Sequence, residues 1–306
     1  MRSHYIPKSY LSRWIADGDE RVWVAHRDLS GRVIVKLRHP SSFGYVRDLY
    51  KFDVRSTYGF AKDPDALERY FANNVESPAS LVIERMLGGH RLFSYERVIF
   101  LRFIRAFTLR HVETIRELLA DGESVVRHTI EAMKAGRLDS EAADRLSSTL
   151  DAMADDRAFG RNTLLGQLPT LLEDPESDEI WSTFQICLLT ADVPSLITSS
   201  HPLLLNGKRR MTEYRSGESI ALFEIALSPR HLCVIGRGLE SADDSDFGLL
   251  LASYNDRMMQ SRPSAIYSSF SPVCPHVLFM SQWLEERLPP TDMFRKIGSH
   301  SSDLME

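Results

Sequence analysis

The sequence predicts an α+β fold, in which an N-terminal hairpin and C-terminal strands form a sheet and the middle of the chain is helical. Three observations lead to this fold class. Apolar and polar residues alternate in two short runs before residue 40, apolar residues recur at steps of three and four between residues 63 and 155, and short, partly β-branched runs return after residue 180. The 306 residues therefore have strand-like ends around a helical middle.

Two alternating runs near the N-terminus predict a β-hairpin. They cover residues 21–26 and 32–37, and the turn-forming segment Asp28 to Gly31 lies between them. The next segment, 38–58, is mixed and aromatic, which indicates a loop with at most a short strand.

A helical pattern begins where Asp63 precedes Pro64, because an Asp N-cap followed by Pro is typical of a helix start. The pattern continues to Gly88-Gly89, which are residues that favour a helix end. Pro78 lies inside it and removes one backbone hydrogen bond, so we expect a kink or break near Glu76-Ser77.

The next helix is predicted over Tyr95 to Leu119, with Ser94 as its N-cap and Asp121-Gly122 as its end. Two further helices are expected over 123–134 and 140–155. Because residues 160–176 contain Gly166, Pro169 and Pro175, a helix end or a loop is expected there.

The last part of the chain returns to strands. The segments predicted to form strands of one sheet are 181–189, 195–198, 219–227 and 231–235. A helix over 243–260, a strand over 264–269 and a final helix over 275–287 follow. We interpret the chain as a single domain over 1–297, with a strand-containing part (1–60), a helical part (63–175), a part with sheet and helices (180–297), and a flexible tail at 298–306.

The composition is that of an ordinary globular protein, with 43% hydrophobic and 26% charged residues. Disorder and a disulfide scaffold are therefore excluded. The net charge of -5 and the pI near 6.1 argue against a non-specific binder of duplex DNA. The absence of a long apolar run or a hydrophobic signal segment predicts a cytoplasmic protein without a membrane partner.

The charge is unevenly distributed. Residues 1–56 contain 11 Lys or Arg and 6 Asp or Glu, whereas residues 137–191 contain 4 and 11. The N-terminal segment and the cluster Lys208, Arg209 and Arg210 are therefore candidate binding surfaces for an acidic partner, although solvated charged faces are also common.

The residues His4-Tyr5-Ile6-Pro7, followed by Tyr10-Leu11, resemble the opening signature of the bacterial domain of unknown function 4238 family. Later segments are similar to that family in the same order: Thr198-Ser199-Ser200-His201-Pro202, Leu227-Ser228-Pro229 and Asn255. Where the family has an Asp, this chain has Ser200. The resemblance implies no reaction, but it makes Tyr10, Ser199, Ser200 and Asn255 candidate binding residues.

His4 is a candidate catalytic residue, because a histidine has an ordinary pKa near neutrality and can act as a general acid or base. Structural histidines are also common, and His4 in that role would hold the N-terminus by a hydrogen bond.

Arg105 and His111 are further catalytic candidates, because their spacing resembles the Arg-x(4–6)-His motif of HEPN ribonucleases. In that family the histidine acts on the ribose 2′-hydroxyl and the arginine stabilises the phosphorane. On one continuous helix these two side chains would point about 120° apart, and His111 would lie on a buried apolar stripe.

Three glutamates, Glu68, Glu76 and Glu84, recur every eight residues and are most simply an exposed helix face. Paired carboxylates are compatible with a divalent cation, but no metal motif supports one, so the cofactor stays unknown. Nucleotide-binding loops, zinc-protease motifs and the nucleophile elbow of hydrolases are absent from the sequence.

Two functions follow from these residues. The first is a nuclease-like effector, a phosphodiesterase or ribonuclease-type hydrolase that acts on RNA or another phosphodiester in a bacterial toxin or phage-defence context. The second is a non-catalytic recognition or sensor protein that binds a partner protein or nucleic acid. The sequence leaves open whether the protein is an enzyme, and it does not indicate an oligomeric state.

Overall fold

The computed structural model describes residues 2–28, 30–56, 63–135, 148–149, 151–206, 222–237, 239, 244–261 and 263–270. It confirms the α+β class. In chain order, its elements are β1 (Arg2–His4), α1 (Lys8–Leu11), a 3₁₀ turn (Ser12–Trp14), β2 (Val22–Arg27), β3 (Val33–Arg38), a 3₁₀ turn (Pro40–Ser42), β4 (Tyr45–Arg47), α2 (Ala66–Tyr70), a π-helical turn (Phe71–Glu76), α3 (Ser77–Leu87), α4 (Ser94–Leu109), α5 (Val112–Ala135), α6 (Arg157–Leu172), α7 (Pro175–Ser182), β5 (Gln185–Thr190), β6 (Thr198–Ser199), β7 (Leu204–Asn206), β8 (Leu222–Ser228), β9 (His231–Gly236), α8 (Asp244–Gln260) and β10 (Ala265–Ser268).

The chain divides into two compact units. The first comprises Met1–Tyr5, Tyr45–Arg85 and His90–Ser182, and the second comprises Ile6–Gly44, Met86–Gly89 and Thr183–Glu306. That residues 1–297 form a single domain stays a prediction.

In the first unit, β1 pairs antiparallel with β4, so that His4 lies opposite Tyr45. The helices of this unit enclose an aromatic and aliphatic core that contains Phe71, Phe100, Phe103, Ile104, Ile115 and Leu165. Burial of these side chains is the main term that stabilises the helices, since each contributes roughly 1.5–3 kcal/mol of hydrophobic free energy.

The irregularity expected near Glu76-Ser77 is confirmed, although the helix does not break. A π-helical turn over Phe71–Glu76 joins α2 to α3, and Pro78 lies in the first turn of α3. Pro is tolerated in the first turn of a helix because a backbone N–H at that position has no acceptor within the helix, so its absence costs little. The predicted end at Gly88-Gly89 is also confirmed: the amide of Gly89 donates to the carbonyl of Met86, and Gly89 has a φ of +77° that an L-residue rarely adopts.

The predicted helix over Tyr95 to Leu119 is wrong in its continuity. Helix α4 ends at Leu109 and α5 begins at Val112. The Tyr50 hydroxyl donates to the carbonyl of Arg110 at 2.6 Å, and it thereby takes an acceptor that a continuous helix would offer to the amide of Thr114. The predicted end at Asp121-Gly122 is wrong as well, because α5 continues through it to Ala135.

The loop expected over 160–176 is wrong, because α6 extends from Arg157 to Leu172 with Pro169 inside it. Pro169 lies in the last turn, where it removes one backbone hydrogen bond from an already ending helix. The side chains of Leu164, Leu165, Leu168 and Leu172 are buried, and this apolar stripe stabilises the helix against the loss of that bond.

The second unit contains two four-stranded sheets. The N-terminal hairpin β2–β3 is confirmed, with Val22 opposite Arg38, and β10 pairs with β2 and with β6 in the order β3-β2-β10-β6. The other sheet has the order β5-β9-β8-β7. The prediction that all later strands share one sheet is therefore wrong, because β6 pairs with the hairpin sheet.

Other predictions for the second half divide into two groups. The helix α8 and the strand β10 are confirmed. The cluster Lys208 to Arg210, the helix over 275–287 and the tail at 298–306 lie outside the described residues. None of the described helices combines the length and the apolar character needed to cross a bilayer.

Candidate functional site

A buried cluster of charged side chains in the first unit surrounds the guanidinium of Arg110. This side chain is 1% exposed. Its Nη1 donates to Glu76 Oε1 at 2.5 Å, and its Nη2 donates to the carbonyl oxygen of His4. Its guanidinium carbon also lies 4.5 Å from the ring centroid of Phe71. A buried cation requires such partners, because an uncompensated charge away from water costs several kcal/mol.

The π-helical turn brings two carboxylates to this cation. In a straight α-helix, Glu68 and Glu76 would be turned by about 80° from one another. A π turn has more residues per turn, so the eight residues complete closer to two full turns and the glutamates share a face. The side chains of Glu68 and Glu76 are only 17% and 16% exposed, so the prediction of an exposed helix face is wrong for these two, whereas Glu84 is exposed as predicted.

His4 lies at the end of β1 beside this cluster. Its backbone amide donates to Glu68 Oε1 at 3.2 Å, and its Nδ1 lies 4.0 Å from the same oxygen. Its ring is tilted against Tyr45, with 5.5 Å between centroids. The strand pairing of β1 with β4 and two main-chain bonds therefore fix the backbone of His4, and the imidazole lies close to a carboxylate.

The cluster shifts the pKa values of two of its members, Glu68 and Arg110. Burial raises the pKa of Glu68, and the Arg110 cation only partly opposes this. Burial by itself lowers the pKa of Arg110, but Glu76, Tyr50 and Glu68 more than offset it, so the pKa of Arg110 is raised. Among the described residues, the buried Oε2 of Glu68 has no hydrogen-bond partner. A buried acid with a raised pKa and an unsatisfied oxygen is a marker of functional sites.

Arg105 and His111, the other catalytic candidates, have different surroundings in the same unit. Arg105 is buried, and its Nη1 donates to Asp178 Oδ1 at 2.8 Å while its Nη2 donates to the carbonyl of Leu172. Burial lowers the pKa of Arg105. His111 follows the end of α4 and is partly exposed, and its ring meets that of Tyr5 edge-on at 6.2 Å. Because a helix end separates them, the angle of about 120° expected on one helix does not apply.

The candidate binding residues Tyr10, Ser199, Ser200 and Asn255 all belong to the second unit. The buried Tyr10 hydroxyl lies 2.7 Å from Thr198 Oγ1 and donates to the carbonyl of Ala226 at 2.7 Å. Burial raises the pKa of Tyr10. Tyr10 therefore joins α1 to strands of both sheets.

Ser199 and Asn255 also form hydrogen bonds with backbone groups. The Ser199 hydroxyl donates to the carbonyl of His201 at 2.9 Å. The Asn255 side chain accepts from the amide of Ile197 at 3.1 Å and donates to the carbonyl of Ser195 at 2.8 Å. The two Asn255 bonds connect the segment before β6 to α8.

Ser200, which follows β6, is buried. Its Oγ accepts from the amides of Ser264 and Ala265 at 3.0 and 3.3 Å, and it lies 3.1 Å from His201 Nδ1. The position therefore needs an acceptor at the start of β10, which a hydroxyl supplies.

Sequence reasoning missed Arg110, Tyr50 and the role of Glu68 and Glu76. The eight-residue spacing of the glutamates was a usable signal only together with the π-helical turn, which Pro78 located approximately. Nothing in the sequence near Arg110 indicates that the helix ends there.

The fold and the site define an α+β protein of two compact units, the first of which encloses a charged cluster beside a near-terminal histidine. A family model described as "Protein of unknown function (DUF4238)" matches residues 2–248. The chain belongs to this family, which confirms the membership predicted from its N-terminal motif. No curated protein and no solved structure shows significant similarity to the chain.

Proposed function

We propose that the protein cleaves RNA or another phosphodiester, and that His4 and Glu68 transfer the protons of that reaction. The observation that carries the proposal is the His4 imidazole 4.0 Å from a carboxylate whose pKa is raised by burial. A histidine beside a carboxylate whose pKa is raised by burial is a pair of groups that acid–base chemistry can use.

For RNA, the reaction needs two proton transfers. One group takes the proton of the ribose 2′-hydroxyl as its oxygen attacks the phosphorus, and the other gives a proton to the departing 5′-oxygen, which leaves a 2′,3′-cyclic phosphate. We assign these transfers to His4 and Glu68. Arg110 is fully buried and bound to Glu76, so it acts as a positioning residue that holds the main chain of His4.

The test incubates purified protein with mixed RNA and with mixed DNA, with and without Mg²⁺ or Mn²⁺. We expect cleavage of RNA by the wild type, and a loss of about 10²-fold or more in His4→Ala and Glu68→Gln. His128→Ala is the matched control, because His128 is an 88% exposed histidine of the same unit and should leave the rate unchanged. Absence of cleavage by the wild type, or equal cleavage by His4→Ala, contradicts the proposal.

A second candidate is a non-catalytic recognition or sensor protein. In the second unit, the hydrogen bonds of Tyr10, Ser199, Ser200 and Asn255 to nearby backbone groups give these residues a structural role rather than a catalytic one. Binding of RNA or of a partner protein without any cleavage would support this second candidate. Location in the cytoplasm and a role in toxin action or phage defence stay predictions.

A further inference from the structure

An exposed aromatic pair at the start of α4 stands out among apolar side chains that should prefer burial. Phe93 is 59% exposed and Tyr95 is 65% exposed. Their rings are stacked, with centroids 6.0 Å apart and planes only 7° from parallel. Stacking holds the two rings in place before any ligand arrives, so a ligand with flat faces would meet an ordered surface.

Basic residues lie close to this pair in the sequence. The segment 85–97 contains three arginines and one acidic residue, Glu96. Glu96 is buried, receives the Phe93 amide at 2.8 Å and pairs with Arg85 Nε at 2.8 Å, so its charge is offset inside the protein. Two basic residues, His90 and Arg91, are exposed on the loop before α4.

The Phe93 ring already binds one planar cation, the guanidinium of Arg85. The guanidinium carbon of Arg85 lies 5.5 Å from the ring centroid of Phe93, which is a cation–π distance. Flat aromatic faces with basic groups around them match the two parts of a single-stranded nucleic acid, because bases stack on rings and phosphates bind cations.

We infer that Phe93 and Tyr95 form a stacking platform for unpaired bases of RNA, with Arg91 and its basic neighbours binding the phosphates. The choice of RNA rests on the proposed function, and the platform narrows its substrate to single strands. A duplex hides its base faces, so it cannot use these rings.

The test measures fluorescence anisotropy of a labelled, single-stranded 2′-O-methyl RNA of about twelve nucleotides, the length that such surfaces cover. Methylation removes the attacking 2′-hydroxyl, so binding is measured in the absence of the proposed cleavage. We expect Phe93→Ala and Tyr95→Ala each to weaken binding by about tenfold or more. Phe93→Tyr and Tyr95→Phe keep the rings and should bind as the wild type does.

Three controls sharpen the result. Leu249→Ala removes an equally exposed apolar side chain from the second unit and should not change binding. Arg91→Ala should reduce the slope of log K against log salt by about 0.7, the value for one phosphate contact on a single strand. Phe93→Ala and Tyr95→Ala should leave the melting temperature unchanged, which verifies that both variants fold.

Equal affinity of the alanine variants and the wild type overturns the inference, as does equal affinity for duplex and single strand, or no binding by the wild type. A protein partner on this surface would give the last of these results. Ring-dependent binding of methylated RNA without cleavage of ordinary RNA would support the platform and remove the nuclease. Cleavage of ordinary RNA without ring-dependent binding would support the nuclease and contradict the platform.

Discussion

Replacement of Arg110 by Met should destabilise the first unit strongly. Met keeps much of the aliphatic bulk but removes the cation, and the structure shows what is left behind. The carboxylate of Glu76 loses its 2.5 Å partner, and the His4 carbonyl loses a charged donor. Breaking a buried pair by removing one member costs about 3–5 kcal/mol, because the remaining charge stays uncompensated.

Thermal unfolding followed by circular dichroism tests this magnitude. At roughly 2–4 °C per kcal/mol for a domain of 150–250 residues, the melting temperature should fall by about 6–20 °C. Arg55→Met is the control, because Arg55 is 85% exposed in its ion pair with Asp53 and such pairs contribute about 1 kcal/mol or less.

A double substitution separates the charge from the packing. Adding Glu76→Gln to Arg110→Met removes the stranded carboxylate, so the double variant should be less destabilised than the sum of the two singles by about 1 kcal/mol or more. A loss of under 1 kcal/mol in Arg110→Met would refute the reasoning. Strict additivity of the two substitutions would refute it too.

Three further predictions concern buried polar groups. Burial raises the pKa of Glu68, so the folded protein holds the carboxyl proton more tightly than the unfolded chain does. The contribution of Glu68 to stability is therefore present at low pH. It is lost as the pH rises from the ordinary glutamate pKa of about 4.3 through the raised pKa of the folded state. Glu68→Gln cannot ionise, so urea unfolding at pH 4 and pH 7 should show a stability difference that moves in favour of the variant at the higher pH, and movement the other way contradicts this. Ser200→Ala should cost about 1–3 kcal/mol in urea unfolding because two amides lose their acceptor, whereas Ser200→Thr should cost less, and equal costs would count against the acceptor role. Tyr10→Phe should cost a similar amount because Thr198 Oγ1 and the Ala226 carbonyl lose a partner, and wild-type stability in the same assay would show that these bonds contribute little.

Local patterns were sufficient to predict the hairpin and the helix end at Gly88-Gly89. The alternation in β2 and β3 and the Gly88-Gly89 stop depend on neighbours in sequence, so they can be recognised without the fold. Just after the end of α4, the Arg110 carbonyl accepts from the Tyr50 hydroxyl, 60 residues away in sequence. No local pattern contains that information.

The candidate site was predictable in part for the same reason. His4 stands out as a near-terminal histidine in a recognisable motif. Its partners Glu68 and Arg110 are 64 and 106 residues away in sequence. On a regular α-helix, the eight-residue spacing of the glutamates predicts an exposed face. The π-helical turn changes the angle between Glu68 and Glu76 around the helix axis, so both side chains face the protein interior.

The N-terminal motif has a physical explanation that differs from catalysis alone. In the first unit, His4 offers its amide to Glu68 and its carbonyl to Arg110. In the second unit, Tyr10 bonds to Thr198 and Ala226, which are 188 and 216 residues away. A short N-terminal segment thus forms long-range polar bonds in each unit, and such buried bonds are costly to leave unmade. Catalysis by His4 would therefore use a side chain whose main chain is already fixed by the fold, which is the preorganisation that proton transfer benefits from.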